Sequence, residues 1–255
     1  MDAGPRRDAL LTLAVQLGLL LAVLGLWQAA AANRWVSPLI LPSLTATLGE
    51  FVAILGQPDA HHAIRVTATE FAAALAAALV AALVVGAVCG TFDYLGDLVE
   101  PLLLAAYAVP IVMAFPLCLL FFGIGSSSKI AFAGVYAFFP IAIQTMRGLR
   151  QVDEPLIRAA RSMGASRWQL LTRVAVPAAL PAIATGLRLG AVLALLGVVA
   201  GEMLGAVDGI GQSLTNAVST FRAADAFAWI LLVSALVTLV NLSLSWLEHA
   251  LEGGR

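Results

Sequence analysis

The stretch that decides the fold is residues 153–177, which read DEPLIRAARSMGASRWQLLTRVAVP. This basic island lies between long apolar segments, and it predicts two short helices separated by a glycine. Asp153 stands at an expected N-cap, and Pro155 is tolerated in the first turn because the N–H group it lacks would be unpaired there. Gly164 favours the left-handed conformation that ends a helix.

The first of these helices is expected to be amphipathic and about two turns long. Leu156, Ala160 and Met163 fall along one face, whereas Arg158 and Arg161 lie elsewhere around the helix. The physical pattern leaves an alternative open, which is an ordinary basic loop held at the lipid headgroups by its arginines and a tryptophan.

The second helix is expected to begin at Ser166, because Ser166 and Gln169 have the spacing of a capping box. It runs through Trp168 towards Pro177. We expect Pro177 and Pro181 to turn the chain back into the membrane.

The whole chain is too apolar to be a soluble domain. Of its 255 residues, 61% are hydrophobic and 11% are charged, whereas soluble domains carry roughly 25% charged residues. The mean hydropathy is +0.97, so most of the chain must face lipid or other helices in the membrane. The net charge of −1 gives no reason to expect a nucleic-acid partner. Cys89 and Cys118 lie in apolar runs and are expected to be small core residues.

Six stretches are long enough to cross a hydrocarbon core, which takes about 20 apolar residues. They are approximately residues 9–31, 67–92, 101–123, 130–146, 183–206 and 226–247. The sequence therefore predicts an all-α, polytopic membrane helix bundle of about six transmembrane helices that forms a single domain over residues 1–255. Arg6 and Arg7 precede the first stretch as in a signal peptide, but its apolar run is longer than such a signal, which favours an uncleaved anchor.

Basic residues indicate the orientation, because they tend to remain on the cytoplasmic side. Six arginines lie between the fourth and fifth stretches: Arg147, Arg150, Arg158, Arg161, Arg167 and Arg173. With an even number of spans, both termini are expected in the cytoplasm, and residues 33–66, 124–129 and 207–225 outside. Asp93, Asp97 and Glu100 make the second cytoplasmic connection an acidic exception.

Three residues are candidates for a translocation path or gate. Pro110 and Pro116 should kink or break the third span, and irregular backbone at membrane depth survives only against protein or water. A packed kink without a functional role is the alternative. Glu202 lies towards the outer end of the fifth span, where an interhelical hydrogen bond is the alternative.

Other polar and small residues in the spans have structural interpretations. Arg188 is expected to reach the cytoplasmic surface, and Glu70, at the outer start of the second span, is interpreted as structural in the same way. Glycines four residues apart predict that the fifth span packs tightly inside the bundle or at a subunit seam. These glycines are Gly186, Gly190, Gly197 and Gly201.

No catalytic, metal or nucleotide site is readable, so we expect no enzyme and no cofactor in this chain. Lys129, the sole lysine, lacks the preceding glycine that a phosphate-binding loop requires. His61 and His62 are adjacent and do not share a helix face, and His249 is far from them in sequence. All three are interpreted as ordinary loop or interface residues.

The island resembles a known signature. Arg158-Ala159-Ala160, three residues, Gly164, nine residues and Val174-x-Val176-Pro177 is similar to the "EAA" loop of importer-type ABC permeases, which reads Glu-Ala-Ala, three residues, Gly, nine residues, Ile-x-Leu-Pro. In that family the loop docks in a cleft of the ATPase subunit. The coupling residues that the resemblance implies are Glu154, Arg158, Ala159, Ala160, Arg161, Gly164, Val174 and Pro177, within a loop of about residues 148–181. Arg158 departs from the family pattern, which has Glu there.

Four more motifs extend the resemblance over nearly the whole chain, to the nitrate, sulfonate and taurine permease branch. They are Leu41-Pro42-Ser43; Phe121 to Gly125 followed by Ser128-Lys129-Ile130; Phe138 to Ile141; and Gly201 to Ala206 with Gly209-Ile210-Gly211. The resemblance implies a type I ABC importer permease fold in the cell inner membrane.

The same resemblance implies the partners. They are two cytoplasmic ATPase subunits that bind ATP and Mg, a second permease copy or close relative, and an external substrate-binding protein that contacts residues 33–66 and 209–222. The imported solute would be small: a sulfonate, nitrate, taurine or another small organic molecule. A self-contained secondary transporter or channel is the main alternative, and a membrane-embedded enzyme or scaffold is a weaker one.

Overall fold

The structure is a computed structural model that describes the backbone of residues 4–205 and 207–252 and the side chains of residues 11–205, 207–246 and 248. Ala206 and the side chains of Arg6, Arg7 and His249 carried predictions and lie outside this part of the chain. Every regular element in the described part is helical. The elements are α1 Gly4–Ala32, α2 Leu44–Leu55, α3 Pro58–Thr91, α4 Asp93–Ala108, a 3-10 turn Ile111–Ala114, α5 Phe115–Phe122, α6 Ser126–Arg150, α7 Glu154–Ser162, α8 Arg167–Leu170, a π-helical segment Leu171–Ala175, α9 Val176–Gly205, α10 Ile210–Ser219 and α11 Ala223–Glu252.

Within the described residues, five helices are long and apolar enough to cross a membrane, and the number of spans is six if one bent helix pair counts as a single crossing. The predicted first, second, fourth, fifth and sixth spans are therefore confirmed as α1, α3, α6, α9 and α11. Helix α3 begins at Pro58, earlier than predicted. Its polar first turn contains Asp59, whose negative charge is favourable at the positive end of a helix dipole.

The predicted third span is the bent pair, in which Asp93–Ala108 and Ile111–Phe122 meet at 87°. The break falls where predicted at Pro110, because a proline restricts the preceding residue to extended backbone, and Val109 has φ −68° and ψ 134°. The expected kink at Pro116 is wrong. Pro116 lies in the first turn of α5, where a missing N–H group disturbs no helical hydrogen bond.

Helices α6 and α9 pack closely, as the glycine pattern predicted. A Cβ atom added to Gly190 would lie 2.6 Å from Ile141 Cγ1, and one added to Gly186 would lie 2.8 Å from Gln144 Cβ. Helix α3 approaches the same helix α6, since a Cβ at Gly86 would lie 2.6 Å from Thr145 Cβ. Small residues thus let both helices contact α6 at short range.

The described helices divide into two compact units. One consists of residues 1–60 and 213–232. In it Trp27 stacks at a tilt on Phe227 with ring centroids 5.6 Å apart, and its indole Nε1 donates a hydrogen bond of 2.9 Å to the Pro42 carbonyl.

The other unit consists of residues 61–212 and 233–255. Its alanine-rich core lies where α3, α6 and α9 meet, and it includes Ala78, Ala82, Ala137, Ile141, Ala142 and Ala194. The predicted island and the candidate gate residues all belong to this unit. That the whole chain forms one domain stays a prediction.

Candidate functional site

The predicted first helix of the island exists as α7, Glu154–Ser162. Pro155 lies in its first turn, as expected. Asp153 occupies the N-cap position, as expected, although its side chain makes no capping hydrogen bond. The Asp153 backbone carbonyl instead accepts from the amides of Leu156 at 3.0 Å and Ile157 at 3.4 Å, which starts the helical ladder.

Gly164 ends α7 as predicted. It has φ +81°, and the turn around it is a Schellman motif. The Ala165 amide donates to the Ala160 carbonyl at 3.1 Å, and the Gly164 amide donates to the Arg161 carbonyl at 3.0 Å. A Cβ atom at Gly164 would meet no atom within 4 Å, so the glycine is required by its backbone conformation and not by crowding within this chain.

The predicted capping box at Ser166 is confirmed. The Gln169 amide donates to Ser166 Oγ at 3.3 Å, and the Ser166 amide donates to Gln169 Oε1 at 2.8 Å. The two short helices are therefore both capped, and the turn between them has a defined geometry.

The segment after the capping box differs from the prediction. Pro177 and Pro181 do not turn the chain; α8, the π-helical segment and α9 form one continuous helical stretch over Arg167–Gly205. The physical reason lies in the π turn, where the Val176 amide bonds to the Leu171 carbonyl five residues earlier. This wider turn immediately precedes Pro177, which lacks an N–H group and would clash with the carbonyl four residues before it in a regular helix.

Helix α7 is covered on one side only. Ala160 is 5% exposed, whereas Leu156 is 50% exposed and Met163, just beyond the helix, is 81% exposed. The predicted apolar face therefore touches its own chain at the small residue alone. Trp168, in the following helix, is 71% exposed, and the side chain of Ala159 is also exposed. The island thus displays apolar side chains that its own chain leaves uncovered.

The charged residues of the island are solvent-exposed. Arg158, Arg161, Arg167 and Arg173 are all exposed. Arg158 Nη2 lies 3.8 Å from Glu154 Oε2, an exposed pair that contributes little to stability. Val174 is half-buried and Pro177 is exposed.

Ion pairs near the C-terminal end of α6 explain the acidic exception in the predicted topology. Arg147 Nε contacts Glu100 Oε1 at 2.8 Å, and Arg150 contacts both Asp97 and Glu100. The start of α4 and the end of α6 therefore lie at one end of the bundle. Opposite charges balance there, which explains an acidic connection beside a basic one.

Arg188 also contributes to this end of the unit. It does not simply extend to the surface; its Nε lies 3.2 Å from Glu248 Oε2. Thr185 donates a hydrogen bond to the same carboxylate. These contacts join α9 to the C-terminal part of α11.

The N-terminal end of α6 holds a buried ion pair that the sequence did not predict. Lys129 Nζ lies 2.5 Å from Glu70 Oε1, and both side chains are almost completely buried. The available signal was weak: the sole lysine lies in the first turn of α6, and Glu70 is the one glutamate of α3. Their separation along the chain hides the pairing.

Glu202 is fully buried beside this pair, and it joins three chain segments. Thr67 Oγ1 donates to Glu202 Oε1 at 2.7 Å, and the Gly211 amide donates to Oε2 at 2.8 Å. The Ile210 amide in turn donates to Thr67 Oγ1 at 3.0 Å. We call these residues, with Gly209, the Glu202 clasp. The interhelical hydrogen bond that the sequence analysis gave as the alternative for Glu202 is therefore present.

The two glycines of the clasp are required by the space around the carboxylate. Gly209 has φ +114°, and a Cβ there would lie 2.2 Å from Glu202 Cδ. A Cβ at Gly211 would lie 2.3 Å from the Val199 carbonyl oxygen. The Gly209-Ile210-Gly211 turn therefore packs directly against Glu202, and this close packing explains why the motif has glycine at both positions.

Comparison with known proteins identifies the family of this chain. The family described as binding-protein-dependent transport system inner membrane component matches residues 82–254. The chain belongs to this family. It is a permease subunit of an ABC importer of the inner membrane, as its relatives are.

Two curated relatives of this permease cover most of both chains. The taurine transport system permease protein TauC of Escherichia coli is 32% identical over 243 residues, which are 93% of this chain and 88% of that protein. The riboflavin transport system permease protein RibX of Chloroflexus aurantiacus is 36% identical over 233 residues, or 91% and 85% of the two chains.

A solved structure confirms the predicted fold class. The permease resembles a chain of the MetNI methionine ABC transporter, solved in inward-facing conformations, with a TM-score of 0.65 and 22% identity. The match covers 73% of this chain and 93% of that chain.

In this permease the predicted residues fall into two places. The coupling candidates share one segment, in which Ala160 is buried, Val174 is half-buried and the others are exposed, whereas Glu202 lies in the clasp near the opposite end of α9. Pro110 and Pro116 are exposed on the surface of the single chain. A role of these three residues in a path or gate stays a prediction. Cys89 is buried and Cys118 is half-buried, consistent with core residues.

Proposed function

We propose that residues 153–177 are the surface through which a cytoplasmic ATPase drives this permease. The single observation that carries the proposal is the exposed, doubly capped helix–glycine–helix segment, with uncovered Leu156, Met163 and Trp168. Large apolar side chains presented together on a shaped surface are typical of a protein docking site.

The connection from this segment into the membrane supports a mechanism in which the segment acts as a lever on a transmembrane helix. Helix α8 continues through the π-helical segment into α9, so a displacement of the docked segment would pass directly into a transmembrane helix. Helix α9 packs on α6 through glycines, and tight packing transmits a shift as a rigid-body motion. The π turn at Leu171–Ala175 is the one irregular section of this lever, and such turns are frequent at functional sites.

The proposed cycle is alternating access. Binding of ATP and Mg by two ATPase subunits would close them, move the docked segments and shift the bundle from an inward-facing to an outward-facing state. In this proposal the permease itself holds no cofactor, works with a second permease copy, and receives its solute from an external binding protein at residues 33–66 and 209–222.

The orientation that the proposal requires has support in the ion pairs. Contacts of Asp97 and Glu100 with Arg150 and Arg147 bring two connections to one end of the bundle, and the coupling segment follows directly after α6. With this end in the cytoplasm, the arginine-rich segment obeys the positive-inside tendency, and both termini are cytoplasmic. The solute would be a small organic molecule or anion of the kind named for the relatives.

The test is transport by purified components. Proteoliposomes with the permease and the ATPase encoded in the same genome should accumulate the solute delivered by its binding protein only when ATP is present. Proteoliposomes with the permease alone should show no uphill uptake. Uphill uptake by the permease alone, driven by an ion gradient, would instead establish the secondary-transporter alternative.

A further inference from the structure

Four charged side chains fasten the first half of the bent third span to the end of α6. Arg147 Nε lies 2.8 Å from Glu100 Oε1, Arg150 Nη1 lies 3.4 Å from Glu100 Oε2, and Arg150 also contacts Asp97. We call these four residues the α4–α6 clamp. Glu100 and Arg150 are each 25% exposed, and the four charges form a network, so the clamp holds more firmly than an isolated surface pair.

The backbone of α4 leaves room for the Arg150 guanidinium. Gly96 is buried in this helix. A Cβ atom added to it would lie 2.9 Å from Arg150 Nη1 and 2.6 Å from the Cys89 carbonyl oxygen of α3. The start of α4, the end of α3 and the end of α6 therefore meet at this glycine. The clamp is part of a packed junction of three helices.

The two halves of the bent span are fastened to different halves of α6. Beyond the 87° bend, Ile111 and Phe115 are buried together with Phe132, which lies in the first half of α6. The clamp joins α4 to the last turn of the same helix. Every residue of α4 from Leu104 onwards is exposed in the single chain. Helix α5 is therefore attached to the beginning of α6, and α4 is attached to its end.

A proline interrupts each of these two spans between the two attachments. Pro110 follows the break of the third span, and Pro140 lies inside α6, after the α5 contact and before the clamp. A proline within a helix removes one backbone hydrogen bond, so the helix bends there more readily than elsewhere. The rings of Tyr107 and Phe139, which closely precede the two prolines, have centroids 5.9 Å apart. The two interruptions thus lie at the same level of the bundle.

The clamp also lies next to the proposed coupling segment. Arg150 is the last residue of α6, and α7 begins at Glu154. The short connection between them is hydrogen-bonded on both sides: the Gln151 amide donates to the Arg147 carbonyl at 3.0 Å, and the Asp153 carbonyl accepts from the first turn of α7. A displacement of α7 is therefore passed to the last turn of α6.

We infer that α4 and the second half of α6 move as one body, held together by the α4–α6 clamp, and that Pro110 and Pro140 form the hinge between this body and α5 with the first half of α6. Arg147 and Arg150 are then positioning residues that pass a displacement of residues 153–177 into the third span. This inference rests on the proposed coupling function, and it adds a second route beside the one through α9.

The experiment measures distances between pairs of spin labels by electron paramagnetic resonance. The sample is the permease in lipid nanodiscs with the ATPase encoded in the same genome, and the two native cysteines of the permease are replaced by alanine. Labels at Leu98 and Gln151 give the distance across the clamp, and labels at Leu102 and Leu120 give the distance across the bend; all four positions are exposed. When ATP and Mg are added, the distance across the clamp should stay constant and the distance across the bend should change.

Variants of the clamp test its role directly. Asp97→Asn with Glu100→Gln removes both carboxylates and keeps the size of the side chains. This pair should reduce the ATP-induced change across the bend at least about twofold and leave ATPase binding intact. Asp93→Asn removes a carboxylate at the start of α4 that is not a member of the clamp, and it should respond as the wild type does. Asp97→Arg, Glu100→Arg, Arg147→Glu and Arg150→Glu together reverse every charge and should restore the wild-type response.

Each outcome decides the inference. If the permease binds no ATPase, the coupling function fails and this inference fails with it. If the ATPase binds but ATP changes the distance across the native clamp, or leaves the distance across the bend constant, the inference is wrong although ATPase docking stands. An equal loss of response in Asp93→Asn, or no recovery in the charge-reversed permease, would show that ion pairing is not the cause. If a clamp variant does not fold, the two distances measured with the native clamp decide.

Discussion

Replacing Thr67 by Val tests the Glu202 clasp at its most informative position. Valine keeps the shape of threonine and removes the hydroxyl, which both donates to Glu202 Oε1 at 2.7 Å and accepts from the Ile210 amide at 3.0 Å. Both partners are buried, so neither has water to replace the lost contact. Glu202 keeps its bond from the Gly211 amide.

The expected loss of stability follows from these two bonds. Leaving a buried polar group unpaired costs about 1–3 kcal/mol, whereas interhelical hydrogen bonds measured in a membrane protein average about 0.6 and reach about 1.7 kcal/mol. Because one hydroxyl serves two partners, we expect Thr67→Val to lower the free energy of unfolding by about 2 kcal/mol, roughly a 30-fold change in the unfolding equilibrium constant.

The assay is reversible unfolding of the purified permease in mixed detergent micelles, followed by loss of helical circular dichroism. Thr67→Ser is the matched variant, because it keeps the hydroxyl and should stay within about 1 kcal/mol of the wild type. Thr238→Val is the second control, since that hydroxyl donates only to the Ser234 carbonyl of its own helix. If Thr67→Val proves as stable as Thr67→Ser, the clasp does not hold these segments together.

Three further outcomes are expected. Gly164→Asp should abolish transport and ATPase docking while leaving membrane insertion intact. The reason is that φ +81° is unfavourable for a residue with a Cβ, and this turn sets the docking geometry. Gly49→Asp makes the same substitution at an open site in α2, and this variant should bind the ATPase normally. Lys129→Met should destabilise the fold by about 3–5 kcal/mol by leaving Glu70 buried and unpaired, and adding Glu70→Met should recover most of that loss in the same unfolding assay. Gly190→Ala should lower the melting temperature, with a cost of about 1–3 kcal/mol, because its Cβ would lie 2.6 Å from a side chain of α6.

Local patterns carried most of what the sequence predicted correctly. The apolar runs located the spans, the Ser166–Gln169 spacing located a capping box, and Gly164 located the left-handed turn. Each of these signals depends on residues within a few positions of one another, so a single short stretch of sequence is enough to predict the structure it forms. The glycine spacing in α9 predicted close packing for a similar reason, although it did not name α6 as the partner.

Contacts between distant parts of the chain were not predictable in this way. The Lys129–Glu70 pair and the bond from Thr67 to Glu202 join different helices, and the latter spans 135 positions along the chain. No periodicity within one segment encodes such a pairing. The acidic residues at the start of α4 were puzzling for the same reason, because their arginine partners lie at the C-terminal end of α6.

The continuation of the helix through Pro177 shows a second limit. The turn at Pro177 was predicted because proline lacks an N–H group and its ring clashes with the carbonyl four residues earlier in a regular helix. The π turn over Leu171–Ala175 removes that conflict, and its presence is not visible in residue types.

The most direct test of the coupling surface is a photo-cross-linking residue placed at Ala159, which is exposed on α7. In membranes containing the assembled transporter, it should cross-link to the ATPase, and the yield should change when ATP is added. The same probe at Gln57, an exposed position between α2 and α3, should give no ATPase product. A cross-link to the ATPase from Gln57 and none from Ala159 would contradict the proposal that ATP-driven motion enters this permease through residues 153–177.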